Sequence, residues 1–341
     1  SSGCTITSFA DMASAVKSCS HLILDSIAVP AGKTLDLSGT PENAVVEFRG
    51  TTTFGFAEWK GPLISWKNPG ANSWVVGAEG NMVNCGGERW WDGKGGPSGK
   101  VKPRAFDIVG PRGGGVKGLY LKNTPVGAIS VNGGHDFTIV GCTIDSGDGD
   151  TLGAKNTDAI GFSASSGMRV LNNYVHNQDD CVVVLTSQDT IVEGNKCVAS
   201  HGISLTPMDS TINGFLARNN VIEGGDCGLR IKAQTGMRSS VSNASFVSNT
   251  LTDIKQYGID VQFNYPARPE DAVKSSSSIE TSGSTMSGIS FSDITGNVQA
   301  GGYPVAIVCG EGACKDWKWE GVSITGGNKF PCVGAPAGAA C

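Results

Sequence analysis

A polar–apolar pattern recurs along the middle of this chain at a spacing that suits the coils of a solenoid. A polar residue precedes a short apolar run at 158–162 (DAIGF), 180–184 (DCVVV) and 201–205 (HGISL). A second register advances with the first and is marked by asparagines at intervals of 22, 25 and 29 residues: Asn173, Asn195, Asn220 and Asn249. Repeat periods of about 20–50 residues are typical of solenoids. The pattern therefore predicts coils of two or three short strands separated by tight turns, with the asparagines as a structural ladder.

These coils predict an all-β fold, a parallel β-helix with neighbouring strands roughly 4.8 Å apart. The 49 glycines among 341 residues suit a chain of strands and tight turns. One modest helical pattern occupies residues 8–18, with Ser8 placed as its N-cap. Because the open end of a solenoid core must be covered, we interpret this segment as an N-terminal capping helix. Its predicted apolar face contains Phe9, Met12, Ala13 and Val16.

We predict a single domain over residues 1–341. The length would permit two domains, but no charged run or proline-rich linker divides the chain. The serine-rich stretch 274–287 is interpreted as a surface loop, because coil patterns resume at 288–291 and 319–324. No apolar stretch approaches the roughly 20 residues of a membrane-spanning helix. We expect a monomer that does not bind membranes.

The eleven cysteines indicate an oxidising compartment, and the chain begins at Ser1 without methionine, as a processed secreted protein would. We therefore expect a secreted, extracellular protein with a candidate glycosylation site at Asn243. Spacing and position favour four disulfides, although other pairings stay open at this point: Cys4–Cys19, Cys181–Cys197, Cys309–Cys314 and Cys332–Cys341. The remaining thiols, Cys85, Cys142 and Cys227, are expected to be buried. No C-x2-C pair occurs and only four histidines are present, so neither a metal nor a cofactor is expected.

Acids and cations recur at coil spacing. If the coils stack, Asp158, Asp180 and His201 come together, with Asp179 beside them, and such crowded carboxyls cannot all ionise easily. Strand alternation places Arg230 and Lys232 on one outer face, where they suit a carboxylate ligand. The net charge of −5 does not suit a nucleic-acid surface. Each aspartate taken alone is typical of a turn, so the prediction of an anionic polymer in a groove depends on the whole set.

Four segments in this order resemble the signature motifs of the polygalacturonases: 156–158 (NTD), 178–181 (QDDC), 201–202 (HG) and 230–232 (RIK). That family consists of right-handed parallel β-helix glycoside hydrolases that act on the pectin backbone. The cysteine spacings also resemble those of the secreted fungal members, so the likeness runs from Cys4 to Cys341. The resemblance implies hydrolysis of α-1,4 bonds in polygalacturonate, and the compact length favours endo action.

The resemblance also implies a role for each matching residue. Asp179 is the expected general acid, while Asp158 and Asp180 hold and deprotonate the attacking water. His201 tunes the protonation of the acid and helps to hold the sugar. The expected substrate-binding residues are Asn156, Arg230, Lys232 and Tyr257. The resemblance implies inversion, and we follow it, although stacked coils would place Asp158 and Asp180 closer than the roughly 6.5–9.5 Å usual for inverting pairs.

The sequence departs from the family pattern at two positions, and several alternative functions stay open. Ser200 stands where the family usually has glycine before the histidine, and Ala159 stands where glycine follows the first aspartate, so altered subsite detail is expected.

The histidine and the Arg-x-Lys pair favour homogalacturonan over a rhamnogalacturonan substrate. A pectate lyase would need clustered Ca²⁺ ligands, for which the sequence offers only the loop carboxylates Asp145, Asp148 and Asp150. A non-catalytic carbohydrate-binding β-helix is the remaining alternative. The adjacent Trp90 and Trp91 suit either a sugar platform or a cap.

Overall fold

The computed structural model describes residues 4–274, 283–339 and 341, most of them in short strands joined by turns. The chain divides into two compact units, and each is described by itself. The first comprises Ser1–Gly161 and Ser165–Asp180, and the second comprises Phe162–Ala164 and Cys181–Cys341. Most of the predicted surface loop at 274–287 lies in residues 275–282, outside the described residues.

Three parallel sheets form the first unit, and successive turns of the chain add a strand to each. The first sheet contains Cys4–Ile6, His21–Asp25, Val45–Arg49, Trp74–Gly77, Gly115–Lys117, Thr138–Val140 and Arg169–Leu171. The second contains Leu35–Asp36, Ile64–Lys67, Phe106–Val109 and Ile129–Asn132. The third contains Ala28–Val29, Thr51–Phe54, Met82–Asn84, Tyr120–Lys122, Thr143–Asp145 and Tyr174–His176. The remaining elements are Phe9–Asp11, Met12–Ser18, Gly87–Arg89, Gly149–Leu152 and Ser165–Ser166, and Ile160–Ser163 has residues in both ranges.

The second unit repeats the three-sheet arrangement and has a short helix between two of its strands. Its first sheet contains Ser187–Glu193, Thr211–Arg218, Ser240–Val247 and Thr285–Ser292, followed by Cys314–Lys315 and Lys318–Glu320. Its second contains Val182–Val184, Ile203–Leu205, Cys227–Gln234, Tyr257–Tyr265 and Tyr303–Val308. Its third contains Lys196–Val198, Val221–Glu223, Thr250–Ile254, Thr295–Val298 and Ser323–Thr325. The helix is Pro269–Lys274.

Alternation along each strand separates the core from the functional face. In the second sheet of the second unit, Ile203 pairs with Leu229, which pairs with Ile259, and all three side chains are fully buried. Burying a side chain of this size contributes roughly 1.5–3 kcal/mol. The same register pairs Arg230 with Asp260 on the opposite face of this sheet. Stacking therefore forms the core from one set of residues and presents the alternate set outward.

The predicted capping helix is present, with one correction to its face. A 3₁₀ turn, Phe9–Asp11, leads into the α-helix Met12–Ser18, and Ser8 Oγ accepts the Ala10 N–H at 3.3 Å. The buried face contains Met12, Ala15 and Val16, whereas Ala13 is exposed, so the prediction for Ala13 was wrong. The tighter 3₁₀ turn shifts the register of the helix relative to a continuous α-helix.

The cysteine predictions are confirmed. The four disulfides pair as expected: Cys4–Cys19, Cys181–Cys197, Cys309–Cys314 and Cys332–Cys341. Cys85, Cys142 and Cys227 are buried free thiols. None of the helices in the described part of the chain has the length and apolar character to cross a membrane.

Candidate active site

Two successive turns of the first unit carry the acidic motifs, and a buried asparagine holds the turns together. Asn177 is fully buried, and its Nδ2 donates to the carbonyl oxygens of Thr157 (2.7 Å) and Asp180 (2.9 Å). The Ala159 N–H also donates to Asp180 O at 3.0 Å. Because these bonds join the two turns directly, the backbone that carries Asp158 is fixed against the backbone that carries Asp180.

The carboxylates of this region share a small set of donors. Asn156 Nδ2 donates to Asp179 Oδ2 at 2.9 Å. The Asp180 N–H donates to Asp179 Oδ1 (2.8 Å) and more weakly to Asp158 Oδ1 (3.3 Å). Asp180 is buried, whereas Asp158 and Asp179 are partly exposed. The structure therefore brings together Asn156, Asp158, Asp179 and Asp180, as the motif spacing predicts.

A loop from earlier in the chain orients Asn156. The Gly96 N–H donates to Asn156 Oδ1 at 3.0 Å, so the side-chain NH2 group is the end that faces Asp179. The loop itself is closed by Lys102, whose nearly buried ammonium lies 2.9 Å from Asp92 Oδ1. Asn156 adopts a left-handed backbone with φ of 53°, which asparagine tolerates better than most residues. No sequence pattern pointed to this loop.

Gln178 links the acidic turns to Asp150, which pairs with His176. Its N–H donates to Thr157 Oγ1 (2.8 Å), and its Nε2 donates to Ser146 O and Asp150 Oδ1, both at 2.8 Å. Asp150 Oδ2 lies 2.7 Å from His176 Nε2. The residue next to Asp179 in the chain is thus held at its backbone and at its side chain.

The loop carboxylates that a lyase would need for Ca²⁺ are committed to other contacts. Lys122 Nζ lies 3.1 Å from Asp145 Oδ2 and 3.4 Å from Asp148 Oδ2. Burial raises the pKa of Asp145, but the Gly147 N–H and the Lys122 ammonium outweigh burial and hold that pKa below its ordinary value. Asp150 pairs with His176. These three side chains brace the turns through protein contacts.

His201 lies at a tight turn of the second unit. Gly202 has φ of 82°, and a Cβ there would lie 1.9 Å from Gly228 O, so only glycine fits after the histidine. Ser200 is fully buried, and its Oγ accepts the Gly202 N–H at 3.0 Å. The departure from the family pattern at Ser200 therefore adds a hydrogen bond to the turn. His201 Nε2 lies 3.6 Å from Asp226 Oδ2.

The predicted cation pair, Arg230 and Lys232, lies on the outer face of the strand Cys227–Gln234, and each cation contacts another side chain. Arg230 donates through Nε and Nη2 to Asp260 Oδ2, both at 3.0 Å, and Asp260 is fully buried. Burial raises the pKa of Asp260, and the charge of Arg230 partly offsets this effect. Lys232 is 4% exposed, and its Nζ lies 5.2 Å from the ring centroid of Tyr265, within cation–π range.

Asp260 and Tyr265 are the residues that sequence reasoning missed in this region. Asp260 aligns with Arg230 when the segments 227–232 and 257–262 are placed in register, so charge complementarity at one coil position was the available signal. Tyr257, the predicted substrate-binding tyrosine, is buried, and its hydroxyl donates to Glu270 Oε2 at 2.6 Å. Burial followed by this hydrogen bond raises the pKa of Tyr257.

The structure also places the tryptophan pair and the candidate glycosylation site. Trp90 and Trp91 are buried, and their Nε1 atoms donate to Ala57 O (2.9 Å) and Thr124 O (3.1 Å), so they pack the fold and form no sugar platform. Asn243 is exposed on the strand Ser240–Val247, which suits a glycan acceptor.

Comparisons with known proteins agree with this geometry. A model of the family described as "Glycosyl hydrolases family 28" matches residues 19–341. A polygalacturonase of Cochliobolus carbonum is 40% identical over 99% of this chain and 92% of its own length, and endopolygalacturonase I of Aspergillus oryzae is 39% identical over 100% and 92%. The crystal structure of endopolygalacturonase I from Stereum purpureum, complexed with two galacturonate, superposes with a TM-score of 0.85, at 29% identity and 96% coverage of both chains. The predicted fold class, a right-handed parallel β-helix, is confirmed.

Proposed function

Because the chain belongs to family 28 of the glycosyl hydrolases, we propose that it hydrolyses α-1,4 glycosidic bonds inside polygalacturonate chains. The observation that carries the proposal is the set of three aspartates on two adjoining turns, oriented by Asn156 and the Asp180 N–H. The endopolygalacturonase relatives at about 40% identity over nearly the whole chain support the substrate and the endo mode.

In this proposal Asp179 protonates the glycosidic oxygen of the leaving sugar. Its two oxygens accept hydrogen bonds from Asn156 and from the Asp180 N–H, which hold the carboxyl in one orientation for proton transfer. Asp158 and Asp180 hold and deprotonate the attacking water. That water would attack from the side opposite the leaving group and so invert the configuration.

The second unit supplies the groups that recognise a uronate. Arg230 and Lys232 bind the sugar carboxylate, and Asp260 holds the Arg230 guanidinium in place for this contact. His201 supports the protonation of the acid and contacts the sugar, while Asn156 and Tyr257 line the substrate path. The four disulfides support the further proposal that the protein works outside the cell.

The test is a time course on polygalacturonate with measurement of viscosity, reducing ends and product sizes. Endo hydrolysis predicts a fast fall in viscosity and mixed oligomers while few reducing ends have formed. Release of monomer alone would contradict the endo mode and identify exo action. Unsaturated products that absorb in the ultraviolet would instead identify a lyase. Binding without any new reducing ends would identify a non-catalytic carbohydrate-binding protein.

A further inference from the structure

A loop of the first unit, residues 92–102, is held closed by a buried cation. The side chain of Lys102 is 1% exposed, and its ammonium lies 2.9 Å from Asp92 Oδ1. The same ammonium donates to Lys100 O at 3.2 Å, and Asp92 Oδ2 accepts the Lys100 N–H at 2.8 Å. Because a buried ammonium is costly without partners, these contacts hold the two ends of the 92–102 loop together.

The 92–102 loop reaches the acidic turns at Asn156. The Gly96 N–H donates to Asn156 Oδ1 at 3.0 Å, and the NH2 group of the same amide donates to Asp179 Oδ2 at 2.9 Å. A side-chain amide carries its acceptor and its donors on different atoms. The donor from the loop therefore selects which end of the Asn156 amide faces the Asp179 carboxyl.

Gly95 leaves the space that the Asn156 amide occupies. A Cβ at Gly95 would lie 2.0 Å from Asn156 Oδ1 and 3.1 Å from Asn156 Cγ, and the next nearest atom is Pro97 Cδ at 3.5 Å. The backbone of Gly95 lies outside the left-handed region, so it does not itself require glycine. An alanine at this position would therefore press on one side chain, that of Asn156.

We propose that Gly95 and the 92–102 loop position the general acid: they hold the Asn156 amide so that its NH2 group fixes the Asp179 carboxyl for proton transfer. The inference rests on the proposed function for the role of Asp179 as the acid. A carboxyl that turns away from the glycosidic oxygen loses the geometry of proton transfer, and a displacement of about 1 Å can cost on the order of 10²-fold in rate. Gly95 acts through Asn156 and touches no reacting atom.

The test is a double-mutant cycle between Gly95→Ala and Asn156→Gly. Glycine keeps the left-handed backbone at position 156, where φ is 53°, and removes the amide. Gly95→Ala alone should lower kcat on polygalacturonate roughly 10–100-fold and change KM less than about three-fold, because the amide is displaced from the acid. In the Asn156→Gly background the same substitution should change kcat less than about two-fold, because the atom that the new Cβ meets is gone. Ser98→Ala, at an exposed position of the same loop, is the control and should keep the wild-type kcat.

A second measurement does not depend on activity. In ¹H–¹⁵N spectra of protein labelled at asparagine, the side-chain signal of Asn156 is the one that Asn156→Gly removes. This signal should move in Gly95→Ala and keep its position in Ser98→Ala. Lys102→Met opens the loop without a change next to Asn156, and it takes the place of Gly95→Ala in the cycle if that variant does not fold. The loss of kcat in Lys102→Met should likewise disappear in the Asn156→Gly background.

An unchanged kcat in folded Gly95→Ala protein overturns the proposal, and so does an equal fall in kcat in both backgrounds. A loss confined to KM would also overturn it, because Asn156 would then serve substrate binding alone. An unmoved Asn156 signal in Gly95→Ala has the same consequence. If the wild type fails to cleave polygalacturonate while the signal moves as expected, the proposed function fails and the positioning of Asn156 by the loop stands.

Discussion

Two sets of polar side chains recur at coil spacing in this protein: the asparagines are buried, whereas two of the three aspartates are partly exposed. Asn195, Asn220 and Asn249 form a ladder in which no member is more than 2% exposed. Asn195 Nδ2 donates to Asn220 Oδ1, and Asn220 Nδ2 donates to Asn249 Oδ1, both at 2.9 Å. The acidic turns instead leave Asp158 and Asp179 partly exposed.

The difference follows from hydrogen-bonding capacity. An amide has donors and an acceptor, so stacked asparagines satisfy one another, and the prediction of a structural ladder is confirmed for these three residues. An ionised carboxyl only accepts, so stacked aspartates repel and need donors from elsewhere. Asn156 and the Asp180 N–H supply such donors. The ladder therefore contributes stability, while the acidic turns keep acceptor capacity for a reacting ligand.

The largest expected effect is on catalysis. Asp179→Asn keeps the size of the side chain but removes the acid, so kcat should fall by at least about 10²–10⁴-fold. Unfolding midpoints and oligogalacturonate binding should stay close to wild type. The matched control is Asp136→Asn, at an exposed turn residue with φ of 52°, which should keep full activity. Activity of Asp179→Asn within a few-fold of wild type would rule out the assigned role.

Arg230→Ala should impair both binding and stability. Removing the cation weakens binding of free oligogalacturonates more than that of their methyl esters, by roughly 1.5–3 kcal/mol. It also leaves Asp260 buried without its partner, which costs about 3–5 kcal/mol of unfolding free energy. Adding Asp260→Asn should recover much of the stability but none of the binding. Recovery of both by the double variant would mean that Arg230 only supports the fold.

Lys232→Ala is the companion variant, because Lys232 shares the face but contacts the Tyr265 ring. It should weaken binding of free oligomers with a smaller loss of stability than Arg230→Ala. An equal loss of binding for free and esterified oligomers, measured by titration calorimetry, would show that the lysine only shapes the groove.

Asn220→Ala probes the ladder alone. The substitution removes Asn220 Oδ1, which accepts from the Asn195 N–H and from Asn195 Nδ2, and it removes the side-chain donor of Val192 O, both in the interior. We expect a loss of about 2–3 kcal/mol in urea unfolding, with kcat unchanged at temperatures where the protein stays folded. Asn132→Ala, at an exposed strand position, is the control and should change stability by less than about 0.5 kcal/mol. A fall in kcat of folded Asn220→Ala protein would show that the ladder also contributes to catalysis and not to stability alone.

The sequence predicted the features that are marked by local motifs and their intervals, and it missed contacts with residues that belong to no motif. The asparagine series, the disulfides and the gathering of Asn156 with the three aspartates follow from local motifs and their intervals. Asp260 accepts a hydrogen bond from Arg230 across 30 residues of sequence, and Gly96 donates one to Asn156 across 60. Neither contact therefore has a local sequence signal. The exposed Ala13 reflects a 3₁₀ turn that apolar periodicity does not distinguish from an α-helix.

The smallest expected effect concerns pH. Gly147 and Lys122 hold the pKa of Asp145 below its ordinary value against the effect of burial. Its ionised form therefore stabilises the folded protein above the unfolded pKa of about 3.9, and this contribution is lost as pH falls through the lowered folded pKa. Because Asp145 is partly exposed, Asp145→Asn should cost less than about 1 kcal/mol at pH 7.

The same measurement separates the titrating carboxylates from the amide ladder. Urea unfolding of Asp145→Asn and wild type should converge as pH falls from neutral towards the lowered pKa, because the wild-type carboxyl then takes up its proton. The loss in Asn220→Ala should stay constant over the same range, since an amide does not titrate there. A penalty in Asp145→Asn that is constant or grows on acidification would show that the Lys122 contact contributes no ionic stabilisation. The distinction between the two polar sets would then rest on catalysis alone.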